Sequence, residues 1–151
     1  MSKVIITSSK EETQWFGKDL VSKLKDRNII ALYGDLGSGK TTFVQGLAKG
    51  LGIKKRIISP TFVLVRQYKI KNQKSKIKTT AQNSKFFYHV DLYRVNNKKE
   101  IDGLGIKEII DNKNNFVAIE WAEKISNLLP KNRINVYCKY LDYEKRKISI
   151  S

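Results

Sequence analysis

The stretch IIALYGDLGSGKTTFVQGL, residues 29–47, leaves this chain few ways to fold. Its first five residues, IIALY, are a short continuous apolar run, the pattern of a strand buried on both faces of a parallel sheet. Gly34, Gly39, Lys40 and Thr41 then complete G-x-x-x-x-G-K-[ST] without a gap. The residues after it, KTTFVQGLAKGL, place Phe43, Val44, Leu47, Ala48 and Leu51 on one helical stripe, with Gly52 as its stop. Strand, glycine loop and helix in this order are the context a phosphate-binding loop requires. Its consecutive backbone N–H groups close around phosphates, its lysine reaches the β- and γ-phosphates, and its threonine hydroxyl serves Mg²⁺. Glycine suits the loop because a Cβ would obstruct its tight backbone path and the close approach of a ligand.

The rest of the chain supplies a frame for that unit. TSSKEETQWFGKDLVSKLK, residues 7–25, has capping Ser and Thr, two early glutamates, and Phe16, Leu20 and Leu24 at helical spacing. FVLVRQY (62–68), FFYHVDLYRV (86–95) and NFVAIEW (115–121) read as strands, AEKISNLL as a short helix closed by Pro130, and RINVYCKY with RKISI as a terminal hairpin. KKEIDGLGIKEIIDN, interrupted by two glycines, is at most weakly helical. The pattern predicts one α/β domain over residues 1–151. Its expected form is a P-loop NTPase-like three-layer arrangement with a mixed, largely parallel sheet and a C-terminal hairpin. A Lys-rich hairpin insert at about residues 69–85 carries six lysines and no acid.

Charge and cysteine content narrow the setting. Thirty Lys and Arg against 14 Asp and Glu leave +16, an excess that attracts nucleic acid or anionic surfaces. Lysine greatly outnumbers arginine, however, and Asn and Ile are also abundant, which reads as compositional drift rather than a groove built for phosphates. The single cysteine, Cys138, excludes an internal disulfide. The opening residues, MSKVIITSSK, lack a secretory h-region, and no run approaches the ~18 apolar residues of a membrane span, so the cytoplasm is the expected address.

Holding a phosphate is not the same as cutting one. Hydrolysis needs a carboxylate near the metal and a group that orients water, and such groups collect at the carboxyl ends of parallel strands. Glu120 closes the apolar run FVAIE, where a carboxylate is costly to desolvate unless a cation or donors meet it, as a Mg²⁺ shell would. Strand alternation in FFYHVDLY puts Phe87, His89, Asp91 and Tyr93 on one face. Asp91 is the better candidate for a contact to a metal-bound or attacking water, and His89, the only histidine, for a structural hydrogen bond. In SPTF, Pro60 holds Ser59 extended and presents Thr61, whose hydroxyl or carbonyl could reach Mg²⁺ and a γ-phosphate as a switch loop does. No guanine-reading N-K-x-D is present, since Asn97-Lys98-Lys99-Glu100 ends in Glu, and adenine is favoured.

Taken together, EET (11–13), GDLGSGKTTFVQGL, SPTF followed by LV and Tyr68, HVDLYR (89–94) and IEW (119–121) resemble the bacterial TsaE family. These are the small P-loop ATPases of tRNA threonylcarbamoyladenosine synthesis, and the motifs occur in family order from about residue 6 to residue 130. The resemblance implies that Gly37, Ser38, Gly39, Lys40, Thr41 and Thr42 bind the phosphates of ATP, and that Thr41 and Glu120 serve Mg²⁺. It implies a switch-like Thr61, a catalytic or metal-shell Asp91, Trp121 beside the site and Thr13 near the nucleotide. It also implies slow ATP hydrolysis supporting turnover of a TsaB–TsaD complex, with tRNA as the pathway's substrate. Two features depart from the family: Arg66-Gln67 stands where a Glu usually precedes the tyrosine matched by Tyr68, and the insert is longer than usual.

Two other readings use the same residues differently. A small P-loop kinase would need an arginine-bearing lid, and the chain has six arginines in all and no Arg-rich insert. A basic RNA-binding module would keep the glycine loop as structure only.

Overall fold

The computed structural model describes residues 2–59, 64–71 and 83–151. Seven strands, β1 (Lys3–Thr7), β2 (Ile29–Tyr33), β3 (Val65–Lys69), β4 (Phe86–Asp91), β5 (Asn115–Glu120), β6 (Ile134–Asp142) and β7 (Lys145–Ile150), form one sheet in the order β1-β7-β6-β2-β5-β4-β3. The four central strands run parallel, and β3, β7 and β1 pair antiparallel at the edges. β2 and β5 sit innermost, which is why their sequences are apolar without alternation.

Alternation along the strands sends their side chains to two separate cores. Ile30, Leu32, Phe87, Phe116 and Ala118 pack beneath α1 (Lys10–Val21) and α2 (Lys40–Gly50). Ile29, Ala31, Val90, Val117 and Ile119 pack on the other face against α3 (Lys98–Gly103), α4 (Ile106–Asp111) and a 3-10 turn, Ala122–Ile125. The expected three layers are present, as are the mixed sheet and the β6–β7 hairpin. Among the described residues no helix is long and apolar enough to cross a membrane.

Local readings differ from the structure at several places. The glycine-interrupted segment at 98–112 folds into two six-residue helices, because Asn97 Oδ1 accepts the Glu100 N–H at 3.0 Å and Gly105, at φ 66°, turns the chain between them. AEKISNLL forms only a 3-10 turn, and the strand at 86–95 stops at Asp91. Lys3 to Thr7 form edge strand β1, antiparallel to β7, an element not singled out by the sequence. The strand expected at 62–68 begins at Val65 among the described residues. Residues 60–63 and 72–82, and with them Thr61 and most of the Lys-rich insert, lie outside the described residues. The insert's described ends belong to an antiparallel β3–β4 pair, closed by Ile70 N–H to Lys85 O at 2.9 Å.

The crossing of α1 over α2 positions the site, and two glycines permit it. A Cβ on Gly46 would lie 2.1 Å from Gln14 O, and one on Gly17 would lie 2.4 Å from Phe43 O. Backbone thus touches backbone, which brings the start of α1 beside the start of α2. Gly46→Ala would gain about 1 kcal/mol of helix propensity at a free position. Here the clash is with main chain, so a net loss of about 1–3 kcal/mol is expected. Urea denaturation checks the sign; stabilisation would show that the helices separate without cost.

Candidate functional site

The loop between β2 and α2 turns at three glycines with positive φ: Gly34 at 140°, Gly37 at 77° and Gly39 at 105°. Gly34 is fixed by the neighbouring strand, since a Cβ there would lie 2.2 Å from Cys138 O and 2.6 Å from Ser38 Oγ. Gly37 has nothing within 4 Å of its Cβ position, so its face of the loop is open to a ligand. Lys40 is only 4% exposed. Its ammonium donates to Gly34 O at 2.5 Å and Asp35 O at 2.8 Å, and lies 4.3 Å from the centre of the Trp121 ring. Burial lowers the Lys40 pKa, while the Glu120 carboxylate pulls it back up.

Beside the lysine stands a buried carboxylate. Thr41 Oγ1 lies 2.9 Å from Glu120 Oε1 and 3.0 Å from Oε2, and His89 Nε2 lies 2.5 Å from Oε2. Glu120, 2% exposed, therefore meets the donors its burial demands. His89 is fully buried in this contact, and its Nδ1 has no partner among the described residues. Parallel pairing of β4 with β5 sets Asp91 opposite Glu120 at the carboxyl ends of both strands. Asp91 is in turn held by Ser59 Oγ at 2.8 Å and the Tyr93 N–H at 3.0 Å.

Trp121 closes this end of the site from a left-handed backbone, φ 60°, in contact with Tyr93 at a ring-centroid distance of 5.2 Å. Lys124 ties the adjoining turn down by donating to Leu92 O, Tyr93 O and Val95 O at 2.9, 2.7 and 2.9 Å. At the other end, Thr13 is buried, its hydroxyl 2.8 Å from that of Thr7. Thr13, Gly37, Gly39, Thr41, Thr42 and Trp121 all border one cavity of about 600 Å³, with Lys40, Asp91 and Glu120. Ser38 is turned inward, 1% exposed, and lines the opposite side of the loop instead.

The cavity also has walls that sequence reasoning did not assign. Ser59 was legible only as the extended residue before Pro60, and its bond to Asp91 spans 32 positions. Tyr143, Glu144 and Arg146 arrive from the β6–β7 turn with no motif to mark them. Thr41 Oγ1 and the Glu120 carboxylate are hard oxygen donors already side by side, the kind of set that holds Mg²⁺ through one carboxylate with phosphates and water completing the shell. The residues fit the ion.

A glycine loop joining a buried central strand to α2, with lysine and threonine opening the helix and a carboxylate ending the adjacent parallel strand, defines a P-loop NTPase-like protein. The family model for the threonylcarbamoyl adenosine biosynthesis protein TsaE matches residues 7–148. The chain is similar to the tRNA threonylcarbamoyladenosine biosynthesis protein TsaE of Rickettsia bellii, 40% identical over 147 residues, which cover 97% of this chain and 92% of that one. It is 32% identical to the TsaE protein of Bacillus subtilis, covering 96% and 82%. A crystal structure of Bacillus subtilis YdiB superposes with a TM-score of 0.71 at 29% identity, covering 99% of this chain and 84% of that one. This chain belongs to the TsaE family.

Proposed function

We propose that this protein binds ATP with Mg²⁺ and hydrolyses it in the cytoplasm, supporting turnover of a TsaB–TsaD complex that modifies tRNA to threonylcarbamoyladenosine. The observation that carries this reading is the meeting of Thr41 with Glu120, at 2.9 and 3.0 Å, in the first turn of α2 beside Lys40. The pathway comes from the family and from relatives whose names place them in it.

Each residue then has a defined task. The backbone N–H groups from Gly37 to Thr42 cradle the phosphates, and Lys40 exchanges the carbonyls of Gly34 and Asp35 for phosphate oxygens, a charge-assisted bond of greater strength. Thr41 and Glu120 hold Mg²⁺, which when bound neutralises charge on the β- and γ-phosphates. His89 fixes the Glu120 carboxylate, and Asp91, steadied by Ser59 and the Tyr93 amide, orients water. Thr61 is assigned the switch role beside the metal and γ-phosphate. Trp121 packs on the lysine that must stay in place.

Hydrolysis by the protein alone is expected to be slow, because switch-type nucleotide hydrolases commonly complete their catalytic site only when a partner binds. Adding TsaB with TsaD should raise the rate. Release of labelled phosphate from ATP, measured with and without both partners, tests this; a fast enzyme indifferent to them would refute the partner role. Transfer of the label to a small acceptor would indicate a kinase instead, and absence of nucleotide binding an RNA-binding module.

A further inference from the structure

The two faces of the sheet are covered unequally. The core built on Ile29, Ala31, Val117 and Ile119 takes no side chain from β6, β7 or β1 among the described residues. Those three strands instead turn Ile5, Val136, Cys138, Ile148 and Ile150 toward the opposite core, beneath α1 and α2. Strand alternation therefore leaves Val4, Ile6, Tyr137, Lys139, Lys147 and Ser149 together on the other face. Val4 and Ile6 are 59% and 60% exposed there, and Tyr137 is 47% exposed. None of these residues lines the cavity at the phosphate loop.

Register arranges them in two rows. Val4, Ser149, Tyr137 and Tyr33 lie side by side on β1, β7, β6 and β2, and Ile6, Lys147 and Lys139 form the next row. Tyr33 stacks on Tyr137 with ring centres 4.7 Å apart and planes at 16°, and its hydroxyl donates to Asn135 Oδ1 at 3.1 Å, so the ring pair is held in place. On the other side of Tyr137 stands Ser149, too small to cover a ring. Lys139 and Lys147 are exposed, directly opposite each other, and in no ion pair among the described residues. Like charges directly opposite on neighbouring strands destabilise a sheet, a cost that a bound anion offsets. The three strands carry one acid, Asp142 at the end of β6, so the face has no carboxylate of its own between these lysines.

We propose that this bare face of β1, β7 and β6 binds a single-stranded segment of RNA. Tyr137 stacks on a base over Ser149, and Lys139 and Lys147, one row along the strands, take the flanking phosphates. An acidic protein surface would satisfy the lysines but leave the open face of a fixed aromatic ring unused. A stacking ring beside unpaired cations is the combination that single-stranded nucleic acid uses. A duplex fits less well, because its bases are stacked on one another and offer no free face to Tyr137. The choice of RNA over DNA rests on the tRNA setting proposed above; nothing in this surface depends on the binding of ATP.

The test is a fluorescence-anisotropy titration of a short labelled oligouridine with the full chain, without nucleotide and at several salt concentrations. Tyr137→Ala should weaken binding about tenfold, the order of one lost base stack, with the salt dependence unchanged. Tyr137→Phe, which keeps the ring, should bind as the wild type does. Lys139→Ala combined with Lys147→Ala should reduce the slope of log K against log salt by about 0.7–1.4, one to two phosphate contacts to a single strand. Lys54→Ala combined with Lys55→Ala removes the same charge from an exposed segment elsewhere and should leave that slope as it is. Equal reductions in the two double variants would reduce the face to diffuse charge attraction and overturn the proposal. Unchanged affinity in a folded Tyr137→Ala, or a wild type that binds no RNA, would overturn it as well. Tighter binding of poly-glutamate than of the RNA would reassign the face to an acidic protein partner. Should loss of the Tyr33 stack unfold Tyr137→Ala, the exposed lysine pair and its control carry the test by themselves. ATP hydrolysis, measured separately, leaves failure here distinguishable from failure of the ATPase reading.

Discussion

Lys40→Ala is expected to abolish ATP hydrolysis, with a fall of at least about 10²–10³ in turnover and weaker nucleotide binding. The size follows from burial: the ammonium is held in the loop by two carbonyls and the Trp121 ring, where its field is screened little by water. Lys124 also lies over Trp121, at 5.8 Å, but its ammonium is engaged by the carbonyls of Leu92, Tyr93 and Val95. The variant should fold, since the core beneath α2 is formed by Phe43, Val44 and Leu47. Phosphate release together with circular dichroism checks both statements; hydrolysis at the wild-type rate would remove the basis of the proposed function.

Glu120→Gln and Asp91→Asn should separate binding from cutting. Both residues are assigned to the metal and the water, not to the phosphate cradle, so ATP affinity should stay within a few-fold while hydrolysis falls about 10²-fold. Glu120→Gln should also demand more Mg²⁺ for half-maximal activity, a shift that a purely structural glutamate would not produce. Glu120 carries the greater risk to stability, because its carboxylate satisfies both the Thr41 hydroxyl and buried His89. A parallel loss of binding, hydrolysis and thermal stability in both variants would assign these carboxylates to the fold alone.

The legibility of this protein divides along the range of the interactions involved. The loop from Gly34 to Thr42 could be read because strand, glycine turn and helix are local, and each depends on residues a few positions away. Glu120 could be read because a carboxylate ending an apolar strand needs a partner, and Asp91 because strand period fixes its face. Their pairing was not legible, since only the parallel register of β4 and β5 sets one opposite the other.

Other features depended wholly on distant chain segments. His89 appears in the sequence as a lone histidine, and its contact with Glu120 exists only because two strands 31 positions apart lie side by side. Ser59 was visible as a proline's neighbour, not as a support for Asp91. Nothing in the residues around Gly46 marks it as required; the approach of the Gln14 backbone makes it so. The short helices at 98–111 escaped a propensity reading because Asn97 capping and burial of Ile101, Ile106 and Ile110 outweigh the cost of two glycines.

By itself the sequence determined the phosphate loop, the strand and helix that carry it, the two carboxylates and the family, because each rests on residue type at short spacing or on motifs in order. The tertiary structure alone decided that the Glu120 carboxylate meets Thr41, that His89 steadies it and that the β6–β7 hairpin closes the far end of the cavity. Those contacts join residues from about 30 to more than 100 positions apart, and only the strand order of the sheet, fixed by burying two cores at once, brings them within hydrogen-bonding or packing distance.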